Sequence, residues 1–313
     1  MKTKFYFYSF LLSSTLILFF ACSNPVGKTE IVESPSQGNI KISVDESFKL
    51  LYDAEIFVFQ NDYPNAKITP LYKPEADVCD DFMNTDSINN VVMTKTLTEN
   101  DSLMLMKKQL IAKTVKVAQD AIAIIVNPKS KVDKILVSDI EKIFKGQISN
   151  WNQVDKNAGN TPIKIVFDNK KSANLRYFNE RFNLQGNFTE NLSAVESNEE
   201  VVKFVNKNPS AFGILSVNWI SDSQDSVSNK FLQDVKVLEV GHSLESACKP
   251  YQGYIANDSY PIIRNVYMIS KESFNGLGTG FAAFVAGEKG QRIILKSGLI
   301  PATMPIRLIQ VKK

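Results

Sequence analysis

Apolar and polar positions alternate along this chain with two recurring periods. "NIKISV" (39–44) reads as a short strand, and "DESFKLLYDAEIFVFQNDYP" (45–64) then puts Phe48, Leu51, Ile56 and Phe59 at roughly helical spacing before Pro64 stops it. "AKITPLY" (66–72) alternates like a strand, "KPEADVCDDFMNT" (73–85) resumes the helical period, and "INNVVMT" (88–94) reads as a buried strand. That order, β-α-β-α-β, predicts an α/β layer with helices covering a mainly parallel sheet. Further on, "ENDSLMLMKKQL" (99–110) is a helix candidate, and Ala121–Val126 is an unbroken apolar run of the kind fully buried strands carry, closed by Pro128. "SDIEKIFKG" (138–146) predicts a short helix with Ser138 as N-cap and Gly146 as C-cap. A strand over 163–167, a helix over about 173–183, an amphipathic helix in "NEEVVKFVNKNP" (198–209) and a strand in "AFGILSV" (211–217) follow. No internal repeat, heptad array or low-complexity block interrupts the series.

The N-terminus follows a different pattern. Lys2 and Lys4 precede a mostly apolar stretch from Phe5 to Ala21, which reads as a secretory signal over residues 1–21. Ala21 directly before Cys22, followed by the polar "SNPVGKTE", resembles a bacterial lipoprotein signal, in which Cys22 is lipidated and becomes the mature N-terminus; Phe19 stands where that signal usually carries Leu. The expected location is the periplasmic side of the cell envelope, with the lipid holding the chain to a membrane. Residues 22–38, rich in Ser, Pro and Gly, read as a flexible tether, so folded sequence is expected from about Gly38. In an export compartment Cys79 and Cys248 have one possible pairing, and a bridge and two buried thiols both stay open.

Composition narrows the function classes. With 313 residues and 44% hydrophobic content, the chain can bury one large core or two ordinary ones, and its length favours two domains. Its 36 Lys and Arg against 33 Asp and Glu leave +3 spread along the sequence, so no basic stripe argues for nucleic acid. His242 is the single histidine, which excludes a two-histidine metal site; neither metal nor cofactor is expected. A Cys248–His242 dyad is conceivable six residues apart, but both fall in a loop without an orienting motif, and His242 reads as a solvated loop histidine. "NGLGTGF" (275–281) lacks the preceding strand of a dinucleotide site and reads as a turn feeding a helix. The neighbouring carboxylates Asp45/Glu46 and Asp80/Asp81 read mostly as solvated faces, which leaves catalysis without an acid–base set.

What recurs is a strand that runs into a polar turn and then a helix start, in "SVDESF" (43–48), "VVMTKTL" (91–97) and "FDNKKSANLRY" (167–177). Ligands in open α/β sheets collect at such C-terminal strand edges. Free N–H groups at helix starts carry partial positive charge, so several converging turns can bind an oxyanion with few basic side chains. Each turn taken alone is more often a simple N-cap.

Four further segments carry a resemblance. "SDIEKIFKGQISNWNQV" (138–154), "QDAIAIIVNP" (119–128), "AFGILSV" (211–217) and "FAAFVAGEKGQRIILKSGLIPA" (281–302) are similar, in order, to segments of the PstS-like substrate-binding proteins of phosphate importers, within the type II periplasmic binding proteins. The resemblance implies a two-lobed α/β fold with mixed, mainly parallel sheets, helices on both faces and a ligand cleft between the lobes. Residues 39–118 plus 247–313 would form lobe 1 and 119–246 lobe 2. It implies a monomeric binding module that hands phosphate or a related small anion to an ABC permease, without catalysis. Carried over, the first turn offers the Ser47 hydroxyl and the Phe48 N–H, and the third offers Thr94 with Lys95. In "DNKKSAN" (168–174), Ser172 is kept while Ala173 and Asn174 replace Gly and Thr. Asp168 stands where that group has its phosphate-pairing Arg, which makes Lys170, Lys171 or Arg176 the candidates to restore positive charge. An alternative is an extracytoplasmic sensor or interaction domain that keeps the fold and has altered or lost small-anion binding.

Overall fold

The computed structural model describes residues 33–221 and 226–305. The signal, Cys22 and most of the tether lie outside them. In chain order the strands are β1 (Gly38–Asp45), β2 (Ala66–Lys73), β3 (Ile88–Met93), β4 (Lys113–Val126), β5 (Lys134–Leu136), β6 (Lys164–Phe167), β7 (Leu192–Ala194), β8 (Ala211–Ser216), β9 (Lys236–Val237), β10 (Glu239–Gly241), β11 (Ile263–Ser270) and β12 (Ile300–Pro301). The helices are α1 (Lys49–Asp62), α2 (Glu75–Asn84), α3 (Glu99–Lys107), α4 (Val137–Phe144), α5 (Ala173–Arg181), α6 (Asn198–Lys207), α7 (Ser226–Asp234), α8 (Gln252–Ala256), α9 (Leu277–Ala286) and α10 (Glu288–Lys296).

The sheet order is β2-β1-β3-β11-β4-β8-β6-β7, with β9 and β12 also pairing with β4. β1 runs parallel to β2 and β3, and β6 runs parallel to β7 and β8, as the strand–helix alternation predicts. Between these two parallel groups lie β4 and β11, which pair antiparallel. β4 belongs to both halves: Lys113–Ala121 pairs with β11, and Ile122–Val126 with β8. Two α/β lobes therefore share one long strand.

The predicted strand at Ala121–Val126 is only the fully buried second half of β4. Its first half begins with four consecutive exposed residues, Lys113–Lys116, and since successive side chains point to opposite faces, both faces of the strand meet water there. Ser138 does not cap α4: that helix starts at Val137 after Leu136, which makes no side-chain cap, so Ser138 sits inside the first turn. Gly146 does terminate it, at a left-handed φ of 70° that favours glycine.

α1 buries Leu51, Tyr52, Ile56 and Phe59, and Phe59 packs edge-on against Phe281 and Phe284 of α9. Burying an aromatic of this size contributes roughly 1.5–3 kcal/mol. Fixed by these contacts, α1 holds its N-terminal end over the edge of β1.

Candidate ligand-binding cleft

Four turns meet where the parallel strands end. β1 ends at Asp45, whose Oδ1 accepts the Ser47 N–H at 3.0 Å and so shapes a 3₁₀ turn over Glu46–Phe48. Within it the Ser47 hydroxyl is fully buried and has no hydrogen-bond partner. Phe48 is buried beneath the Arg264 guanidinium, 5.6 Å from its ring centroid. After β2, Pro74 places Glu75 at the first position of α2 with its side chain turned inward, 2% exposed. After β3, Thr94 donates to Glu75 Oε1 from both its N–H and its hydroxyl, each at 2.6 Å.

The turn after β6 supplies the fourth group. Ser172 is the N-cap of α5, accepting the Leu175 N–H at 3.2 Å, and Asn174 donates to Asp168 Oδ1 at 3.2 Å. Arg176, one turn into α5, reaches across to the turns after β2 and β3: Nε bonds Glu75 Oε2 at 2.5 Å, and Nη2 donates to Glu75 Oε1 at 3.4 Å and to Thr94 Oγ1 at 2.8 Å. Its Nη1 bonds Glu180 at 2.7 Å. Arg176, a candidate from sequence to restore positive charge, therefore faces the turns after β2 and β3.

The charge here is mostly negative and mostly buried. Burial first, and the Glu75 charge second, push the Asp45 carboxyl up to about 7, against the pull of Arg264. Burial and then Asp168 push Glu46 up to about 7 as well; its Oε1 accepts the Asn198 N–H at 3.4 Å. Asp168 is raised by burial despite the bonds from Asn174 and Ser172. Glu75 behaves differently: burial alone would raise it, but Arg176 and the two Thr94 donors hold it below the usual carboxylate range. Beneath the cluster Arg264 pairs with Asp120, from Nε and Nη2 at 2.8 Å to Oδ2.

Of the residues singled out from sequence, Thr94 and Arg176 touch directly. Ser47 bonds Asp45, and Ser172 and Asn174 bond Asp168, two carboxylates whose charges act on one another; these residues and Ala173 are buried. Ser172 spends its hydroxyl on the cap and on Asp168. Lys95 is half-buried and its charge acts on Asp101, at the start of α3. Lys171 pairs with Asp77.

Asp45 and Glu46 are not a solvated face, because the strand end carries them under the neighbouring turn. Asp81 is not one either: it accepts Ser43 Oγ at 2.7 Å and pairs with Lys73. Cys79 and Cys248 are free thiols. The sequence reading missed Glu75, Asp120, Arg264 and Asn218, whose Nδ2 donates to Ser47 O at 3.1 Å. A signal existed for three of them: Glu75 follows a proline directly after a strand, Asp120 directly precedes the apolar run Ala121–Val126, and Arg264 is the lone charge in its strand.

The model of the PBP superfamily domain matches residues 31–289. The chain belongs to the PBP superfamily. Within it, this member is 26% identical over 199 residues to the phosphate-binding protein PstS of Borreliella burgdorferi, covering 60% of this chain and 66% of that one. It is 27% identical over 190 residues to PstS of Bacillus subtilis, covering 60% of this chain and 57% of that one. These alignments span less than two thirds of either relative's length. Among solved structures, it superposes on a candidate phosphate ABC transporter substrate-binding protein with bound phosphate from Clostridium perfringens with a TM-score of 0.72 at 21% identity, over 85% of this chain and all of that one. The ABC-type phosphate transport receptor of Vibrio cholerae gives a TM-score of 0.64 at 21% identity, with the same coverage. Those likenesses establish the fold: the two-lobed α/β architecture of a periplasmic binding protein.

Proposed function

We propose that this chain is the extracytoplasmic solute-binding protein of an ABC importer, anchored by lipid on Cys22, and that it takes phosphate or a related small oxyanion in the cleft between its lobes. One observation carries the reading. Thr94 N–H, Thr94 Oγ1, Arg176 Nε and Arg176 Nη2 converge on the two oxygens of a single carboxylate at 2.5–3.4 Å. Charge-assisted donors of this kind suit any small oxyanion. The names of the relatives supply phosphate as the first candidate. The division into lobe 1 (39–118 plus 247–313) and lobe 2 (119–246) is supported by the change of partner along β4. The role is binding rather than catalysis, in a monomer that presents its closed form to a permease.

Calorimetry on the full chain, titrated with phosphate, sulfate and acetate, tests this. Heat with phosphate is expected; none at millimolar concentration removes the phosphate assignment and leaves the superfamily standing. The second reading, a sensor or interaction domain that has lost small-anion binding, is favoured by one feature: Asp168 is buried where the resemblance places a phosphate-pairing arginine. At an effective dielectric of about 20, two unit charges about 4 Å apart repel by about 4 kcal/mol. Absence of heat with all three anions selects that second reading.

A further inference from the structure

We propose that Glu75 is the specificity-determining residue of this cleft: its carboxylate is an internal competitor seated in the anion cradle, and a solute oxyanion binds by displacing it. In its phosphate arm the proposal rests on the function proposed above; in its structural arm it stands alone.

Glu75 occupies the cradle completely. Both carboxylate oxygens are used, Oε1 by the two Thr94 donors and by Arg176 Nη2, and Oε2 by Arg176 Nε. The remaining Arg176 bonds go to Thr94 Oγ1 and Glu180, so four of the five guanidinium N–H donors are committed. A second oxyanion cannot share these donors, because two anions on one arginine would repel within a buried site. Entry of a solute anion and departure of Glu75 are therefore one exchange.

The same pair fastens the lobes. Glu75 and Thr94 stand on the β1–β3 side, and Arg176 stands on α5 of the β6–β8 side. Four further bonds among the described residues also join these two sides: Lys171 Nζ to Asp77 at 2.7 Å, Ala76 N–H to Lys171 O at 3.2 Å, Asn198 N–H to Glu46 Oε1 at 3.4 Å, and Asn218 Nδ2 to Ser47 O at 3.1 Å. Lys171 and Asp77 have side chains 62% and 39% exposed, so their attraction is screened, whereas Glu75 is 2% exposed. In binding proteins of this shape a ligand draws the lobes together. Here a side chain of the protein makes that contact, so the lobes close without a guest.

A consequence for selectivity follows. A monocarboxylate would replace Glu75 with a group of the same charge and shape while losing its own translational freedom, so it does not bind. A tetrahedral oxyanion offers additional oxygens, and the Ser47 hydroxyl, at the turn after β1 and buried without a partner, is a donor free to meet one.

The test compares the full-length wild type with E75Q, E75A and E75D. Chemical rescue is the direct readout: acetate or formate is expected to raise the melting temperature of E75A and leave that of the wild type unchanged. Small-angle scattering without added anion is expected to show a larger radius of gyration for E75Q and E75D than for the wild type. Phosphate is expected to bind E75Q at least tenfold more tightly than the wild type. If acetate stabilises both proteins equally, or if the wild type binds phosphate as tightly as E75Q, the competitor role is overturned and the importer reading is untouched. If phosphate binds neither protein while rescue and scattering come out as expected, the internal competitor stands and the phosphate assignment falls. Should E75Q fail to fold, E75D carries the scattering arm, since one methylene less cannot span the gap; an unchanged radius overturns the proposal.

Discussion

Glu55 shows how far a single residue can depart from its pattern. It lies on the apolar face of α1 with Tyr52, Ile56 and Phe59, fully buried, with neither carboxylate oxygen hydrogen-bonded. Burial pushes its carboxyl up to about 9, so the folded protein holds a proton there that the unfolded chain releases near pH 4.5. The sign follows directly. Between those values the native state binds more protons, so stability falls as pH rises, by up to about 1.4 kcal/mol per pH unit. Replacing Glu55 with Gln is expected to flatten the urea midpoint between pH 7 and about 9; an unchanged slope would mean Glu55 is already ionised. Below pH 7 some slope remains in the variant, because Asp45 and Glu46, both raised to about 7, contribute in the same direction. The sequence could show that Glu55 interrupts an apolar helix face, but not that no partner waits on the other side. Asp45 and Asp168 were legible as acids at turn positions; their burial was not, because it depends on turns from both lobes arriving together.

At the scale of elements, most of the architecture could be read from period and turn chemistry, and the misses have local causes. The cap of α5 is an example of success. Ser172 is the N-cap expected from its position after a polar turn, and replacing it with Ala is expected to cost about 1 kcal/mol, read as a drop in melting temperature of about 2–4 °C. A larger loss would show that Asp168 depends on that hydroxyl. "NGLGTGF" has a packing explanation rather than a ligand. A Cβ on Gly278 would come within 1.9 Å of Asn90 Nδ2, and one on Gly280 within 1.8 Å of the Pro35 carbonyl oxygen. G280A should therefore lower the melting temperature more than S172A does, since backbone must shift; an equal or smaller drop would show that the Pro35 segment yields freely. Those contacts join segments far apart in the chain, Gly278 with Asn90 and Gly280 with Pro35, so no local pattern could announce them.

For the whole molecule, chain length favoured two domains and the resemblance to periplasmic binding proteins implied two lobes; the bridge between the two sides was not foreseeable. The Glu75–Arg176 pair joins residues 101 apart in sequence, and each has an ordinary local reading, an acidic residue in a first helical turn and a surface arginine. What β4 does was equally hidden, since its second half alone carries the buried-strand signature. β11 pairs with Lys113–Ala121 and β8 with Ile122–Val126, so the two lobes are joined through the continuous backbone of one strand. Melting is expected as one transition with matching calorimetric and van't Hoff enthalpies; two resolved peaks would show that the lobes fold separately. Evolution could not easily divide such a protein into two exchangeable modules. A chain break between Ala121 and Ile122 would leave each fragment with a raw flank, and the pieces would seek each other or aggregate.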